Sequence, residues 1–163
     1  MNGRVIRLGI KPKTPGEHGL PKHAVERVAF STGGLAGDYN HYRATKKNGD
    51  PHQAVLVLTD EVLTQLQGEG WPVRPGDLGE NVTLGGIAEA ALGPGVRLAV
   101  GEVRLELTEA CAPCSELYVL PYVGKERGPE FVRTLQARRG WYAKVLAPGV
   151  VERGAPVSLE ESA

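Results

Sequence analysis

Cysteine is scarce in this sequence: 163 residues contain two, Cys111 and Cys114. Two cysteines cannot make a disulfide scaffold, so the fold must rest on a buried apolar core, for which the length suffices. An excess of one charge is missing as well. Lys plus Arg and Asp plus Glu stand at 19 each, so no overall field draws the chain to nucleic acid or to a membrane surface. No apolar run approaches the ~20 residues of a membrane-spanning helix, and the start Met1-Asn2-Gly3-Arg4 has no signal-peptide core. These absences predict a cytoplasmic protein with no nucleic-acid or membrane partner. In a reducing compartment a cysteine pair is reactive or metal-binding rather than structural. Repeats, low-complexity segments and domain boundaries are absent too, so 1–163 reads as one domain.

What is abundant is punctuation. The 22 glycines and 12 prolines are scattered among short apolar segments. That pattern marks many strands separated by turns and predicts a barrel or sandwich with few helices. Strands are expected over residues 5–10, 23–31 (with a bulge near Arg27), 54–58, 96–100, 103–107, 141–146 and 157–159. Thr59 should cap a short helix with Asp60 and Glu61 in its first turn and an apolar stripe of Val62, Leu63 and Leu66. Pro129 fits the first position of a second helix, with Arg138 and Arg139 in its last turn matching the dipole. Gly149 and Gly154 should frame a turn, and the last four residues should fray.

Two polar stretches are candidate sites. Gly33-Gly34-Leu35-Ala36-Gly37-Asp38 demands tight backbone, yet lacks the Gly-Lys-Ser/Thr ending of a P-loop. Tyr39 to Lys47 is the densest polar and basic segment, either a solvated loop or a ligand site. Residues 71–87 are rigid and turn-rich, and Asp77, Glu80 and Asn81 read as turn-locking groups rather than as an acid–base pair.

The alternation Val103, Leu105, Leu107 against Arg104, Glu106, Thr108 has the period of a half-buried strand. It delivers Cys111-Ala112-Pro113-Cys114 to the strand end. Structural zinc would need a second close ligand pair, and His18, His23, His41 and His52 are singly spaced. A thioredoxin-like pair would need a β-α-β context. Two readings remain: a working thiolate at a helix start, or two small buried hydrophobes. Pro113 and the polar Ser115-Glu116 favour the first.

Leu20-Pro21-Lys22, Gly34-Leu35-Ala36-Gly37-Asp38, Gly76-Asp77-Leu78-Gly79-Glu80-Asn81 and Pro113-Cys114-x-x-Leu117 occur in this order, with Gly140-Trp141-Tyr142 near the end. Together they resemble the MOSC domain, the C-terminal domain of molybdenum cofactor sulfurases, in its small stand-alone bacterial form. The resemblance implies an antiparallel β-barrel, of the pyruvate-kinase-barrel kind, with short peripheral helices. It places the family cysteine on Cys114, as a persulfide carrier or as a ligand of molybdenum in a molybdopterin-type cofactor. The activities it implies are sulfur transfer or reduction of N-hydroxylated compounds. The alternatives are a non-catalytic cofactor carrier and a small barrel with an unrelated ligand. For cofactor contacts it points to Lys22, Gly37, Asp38, Arg43, Lys46 and Asn81. Partners would be a small-molecule substrate and either a cysteine desulfurase-type sulfur donor or a reductase. Pyridoxal phosphate would belong to a separate partner domain and not to this chain.

Overall fold

The computed structural model describes residues 2–160. The expectation of a frayed end falls, Glu160 apart, outside the described residues. Eleven strands are found among those described: β1 (Asn2–Ile10), β2 (His23–Val25), β3 (Arg27–Ser31), β4 (Gly34–Leu35), β5 (Val55–Thr59), β6 (Val82–Gly85), β7 (Arg97–Val100), β8 (Val103–Ala110), β9 (Trp141–Ala147), β10 (Gly149–Glu152) and β11 (Pro156–Leu159). The helices are α1 (His41–Lys46), α2 (Asp60–Gly68) and α3 (Gly124–Thr134). No described helix is long and apolar enough to cross a membrane.

Seven strands close into a barrel in the order β11-β7-β8-β9-β5-β6-β1, with β11 pairing back onto β1. Closure removes the free edges of the sheet. β2 extends β1 at one end, and β10-β3-β4 form a small second sheet. The barrel interior is filled by inward residues such as Leu8, Val57, Leu84, Leu105 and Val145. The expected β7–β8 hairpin is present in register, Val100 opposite Val103.

The expected β-barrel is present, and antiparallel but for one pair: β5 and β6 run parallel, because α2 and the loop after it carry the chain back across before β6 begins. Three expectations are corrected. The single strand over 23–31 is two strands in different sheets, broken at Glu26. Pro129 lies inside α3 rather than at its start, since the helix begins at Gly124. β10 occupies much of the region expected as a turn, with Val151 buried in the core.

A second apolar cluster lies against α2 and α3. Leu58, Val62 and Leu66 meet Trp71, Leu78, Leu117 and Phe131. It anchors two loops at once, the one that carries Glu80-Asn81 and the turn that follows Cys114. Thr59 caps α2 as expected, its side chain accepting from the Val62 N–H.

Candidate functional site

β8 ends at the cysteines. Its pairing with β9 is irregular between Leu107 and Glu109, and bulges of this kind re-aim the chain beside sites. Cys111 continues the ladder: its N–H donates to the Gly140 carbonyl at 2.9 Å. Gly140 is required here, since at φ +87 a Cβ would stand 2.4 Å from the Val57 carbonyl oxygen. Cys111 is therefore drawn inside, packed with Leu56 and Tyr142. Pro113 follows the strand, and Cys114 stands exposed as the cap of a 3-10 turn, Ser115–Val119. The helix start expected at this point is that single turn, and the Cys114 side chain makes no capping bond in it.

The donor to the Cys114 sulfur is Arg139. Its Nη1 reaches Sγ at 3.4 Å and the Ala112 carbonyl at 3.0 Å, and its Nε reaches the Leu78 carbonyl at 3.2 Å. The guanidinium is buried, and none of the ion pairs among the described residues involves it. Burial works to lower its pKa, but Cys111, Cys114 and Tyr142 outweigh that and hold it raised. Burial pushes the Cys111 thiol up, against the pull of Arg139, so Cys111 stays neutral at ordinary pH.

Cys114 and Arg139 open onto a cavity of about 150 Å³. Leu20, Leu56 and Tyr142 supply its apolar wall, and His18, Asn40, Tyr42 and Glu116 its polar rim. A smaller space of about 20 Å³, the size of one water, adjoins it across Asn40 and Leu56 and is lined by Asp38, Arg43 and Asn81.

The residues expected to contact a cofactor fall into three groups. Lys22, Asp38 and Asn81 form one group, with Asp38 accepting from both of the others. Lys22 Nζ donates to Asp38 Oδ1 at 2.8 Å and to the Tyr39 carbonyl at 3.0 Å. Asn81 Nδ2 donates to Asp38 Oδ2 at 2.9 Å and to the Gly9 carbonyl at 3.1 Å, while Asn81 Oδ1 accepts from the Leu56 N–H. Asn81 thus bridges β1 and β5 at the barrel mouth. Burial lowers the Lys22 pKa, and Asp38 opposes that. Arg43 has turned its guanidinium onto the carbonyls of Gly33, Gly49 and Asp50, and burial lowers its pKa. Gly37 and Lys46 are exposed.

Arg139, Tyr142, His18 and Glu116 were not among the expected cofactor contacts, and Asn40 was covered only as part of the Tyr39–Lys47 stretch. Arg139 had a local explanation as a helix-end cation, but α3 stops at Thr134. The one signal for it was its place beside Gly140-Trp141-Tyr142.

Asp77 locks its turn, as expected, accepting from the Arg74 N–H and the Tyr122 hydroxyl. Glu80 is different. It is fully buried and neither carboxyl oxygen has a partner of good geometry. Burial pushes its pKa up to about 7, with the N–H groups of Gly76 and Glu80 pulling the other way. A carboxyl raised in the folded state supports folding fully below its unfolded pKa of ~4.5 and loses that support as pH rises to about 7. A Glu80→Gln variant should therefore gain stability relative to the native chain between pH 5 and pH 8. Urea midpoints at the two pH values check this, and a gap between the two proteins that does not widen with pH refutes it.

A family model described as the MOSC domain matches residues 44–158. The fold is similar to that of YuaD from Bacillus subtilis, with a TM-score of 0.79 at 20% identity over 96% of this chain and 94% of that one. YiiM from Geobacillus stearothermophilus gives 0.72 at 25% identity over 98% and 75%. YiiM from Escherichia coli gives 0.69 at 20% identity over 100% and 71%. Among curated proteins none matches the chain.

Proposed function

The chain belongs to the MOSC domain family, and from that membership we propose that the Cys114 sulfur is its working group, a ligand for the molybdenum of a molybdopterin-type cofactor. One observation carries the reading: an exposed sulfur in a cavity, held by a buried guanidinium that no carboxylate among the described residues pairs with. A buried charge without a counter-charge is strongly unfavourable. With Cys111 neutral, an anionic sulfur at Cys114 or a bound anionic ligand is what offsets Arg139.

The donor set fits such a group. A soft thiolate suits molybdenum, and the Asn40 amide and Tyr42 phenol at the rim suit a polar pterin. The cavity is smaller than the ~300–1,000 Å³ of pockets that take a whole ligand. Its residues would therefore hold only part of such a group. When bound, the cofactor supplies a redox-active metal for reduction of an N-hydroxylated compound. The chain's own residues do the rest. Cys114 would hold the metal, and Arg139, donating to its sulfur, would stabilise negative charge there. Lys22, Asp38 and Asn81 fix the cavity wall from behind, and Arg43 ties the Gly33–Gly34 and Gly49–Asp50 turns together. Lys46, exposed on α1, is the cation free to meet a terminal phosphate. Electrons would come from a separate reductase, since the sequence carries no flavin or iron–sulfur motif.

A second reading, persulfide carriage, is favoured by one feature: Cys114 is exposed, so another protein's sulfur can reach it. The donor would then be a cysteine desulfurase-type partner.

The test is production in a host that makes the cofactor, followed by assay for molybdenum and pterin beside Cys114→Ala. Metal and pterin should co-purify with the native chain, and the variant should lose the metal. If neither protein holds metal, ligation is refuted and persulfide carriage stands or falls on intact-mass detection of one added sulfur on Cys114.

A further inference from the structure

Three ligand-type side chains that the Cys114 chemistry does not use meet beside its cavity. His18, His41 and Glu116 each place one ligand atom within 4.8 Å of those of the other two. His18 and Glu116 also line the cavity itself.

The fold brings these residues together from three separate segments. The His41 N–H donates to the His18 carbonyl at 3.0 Å. Gly19, at φ +113, lets that loop approach so closely that a Cβ would stand 2.5 Å from the Tyr39 carbonyl oxygen. The two imidazoles consequently stack, centroids 3.9 Å apart with 10° between their planes. Glu116 arrives from the 3-10 turn after Cys114, its Oε1 3.5 Å from His18 Nδ1.

This spacing is close to that of ligands around one small ion. Bonds of ~2.0–2.2 Å in a tetrahedron put ligand atoms about 3.4 Å apart. His18 and Glu116 already stand at that separation. The remaining pairs close by modest rotations of His18, whose side chain is 49% exposed and can swing out of the stack, and of Glu116, which is 21% exposed. His41 also has a positioning partner. Its Nδ1 lies 3.1 Å from the Tyr39 hydroxyl; with Nδ1–H donating to the phenol oxygen, Nε2 presents its lone pair. Such an outer hydrogen bond is what fixes a ligating imidazole.

The donor set selects the ion. Two imidazoles and one carboxylate suit zinc and its neighbours, whereas magnesium and calcium need oxygen donors almost throughout. Three protein ligands leave a coordination position open, the arrangement of sites that bind an exchangeable molecule rather than purely structural ones.

We propose that His18, His41 and Glu116 form a binding site for a divalent transition-metal ion of the zinc type at the rim of the Cys114 cavity. The site is separate from molybdenum ligation, because Cys114 is not one of its ligands. The ion would leave the trio with a net positive charge beside the cavity, where it would draw an anionic group of a ligand toward the sulfur.

The test uses the full chain, made without molybdenum and stripped with a chelator. Zn²⁺ is titrated by calorimetry and Co²⁺ by visible absorption. The native chain should bind one ion saturably, with a tetrahedral Co²⁺ spectrum that lacks a strong thiolate charge-transfer band. Affinity should fall about tenfold or more in Glu116→Gln and in His41→Gln, and measurably in Tyr39→Phe. Cys114→Ala should bind as the native chain does. Circular dichroism confirms that each variant is folded. Loss of binding in Cys114→Ala with retention in Glu116→Gln would overturn the proposal in favour of a thiolate site. Absence of saturable binding by the folded native chain would overturn it in favour of a plain stacked histidine pair. Because no cofactor is present, either result leaves the molybdenum reading to its own assay.

Discussion

Exchanging Lys22 for Met should cost about 3–5 kcal/mol of stability, the penalty for stranding a buried charge by removing its partner. The Lys22 side chain is 2% exposed and that of Asp38 9%. In the variant, the Asp38 carboxylate keeps its bonds from the Lys11 N–H and Asn81 but loses its cation. Met preserves most of the apolar stem, so the loss is mainly electrostatic rather than a cavity. The double variant Lys22→Met/Asp38→Asn tests that assignment, because it removes the stranded charge and should recover much of the loss. Urea unfolding of the two single variants and the double variant closes the cycle. A single-variant cost under about 1 kcal/mol would put the pair in the class of exposed ion pairs and refute the account. The consequence reaches the site, since Asp38 and Asn81 together fix the barrel mouth against the loop that carries Asn40.

What could be read in the sequence was what local rules determine. The alternation of β8 located the strand, the hairpin before it and the thiols at its end. The cap and stripe of α2 gave that helix nearly to the residue. Elements governed by distant contacts were hidden. β6 is four residues long and buried on both faces, so it shows no alternation, and its glycine-rich flanks look like loop. Its parallel pairing with β5 depends on a crossover through α2 that no periodicity announces. Pro129 was misread because a helix start is its commonest helical position, while here Gly124 begins the helix earlier. The site divides the same way. Cys114 was visible from its spacing, its turn and the family resemblance. Lys22, Asp38 and Asn81 were named separately, and only the folded barrel joins them. Singly spaced histidines gave no metal-ligand pattern along the chain, yet barrel closure and the Gly19 turn bring two of them to one carboxylate. Arg139 was hidden behind an explanation that sufficed locally.

Replacing Arg139 by Leu should slow alkylation of Cys114 by iodoacetamide at neutral pH by about threefold or more. A hydrogen bond from a charged donor is worth roughly 1.5–3 kcal/mol; the lower figure converts to about tenfold, and the greater nucleophilicity of a less stabilised thiolate takes back roughly half of that on a logarithmic scale. The guanidinium is the donor to Sγ, so its removal withdraws stabilisation from the anionic sulfur, the form that reacts. Stability should fall as well, because the Leu78 and Ala112 carbonyls lose their donor. Each such loss is worth about 1–3 kcal/mol when the group stays buried. The two effects separate with Arg139→Lys, which keeps a cation but cannot fork to three acceptors. That variant should lose stability yet react faster than Arg139→Leu. Following both rates by peptide mass spectrometry keeps Cys114 distinct from Cys111, which is buried and should remain unmodified in the folded chain. Equal alkylation rates in the native chain and in folded Arg139→Leu would show that the guanidinium only braces the loop. In that case the sulfur would need another source of charge stabilisation, and the case for Cys114 as an anionic ligand would lose its physical support.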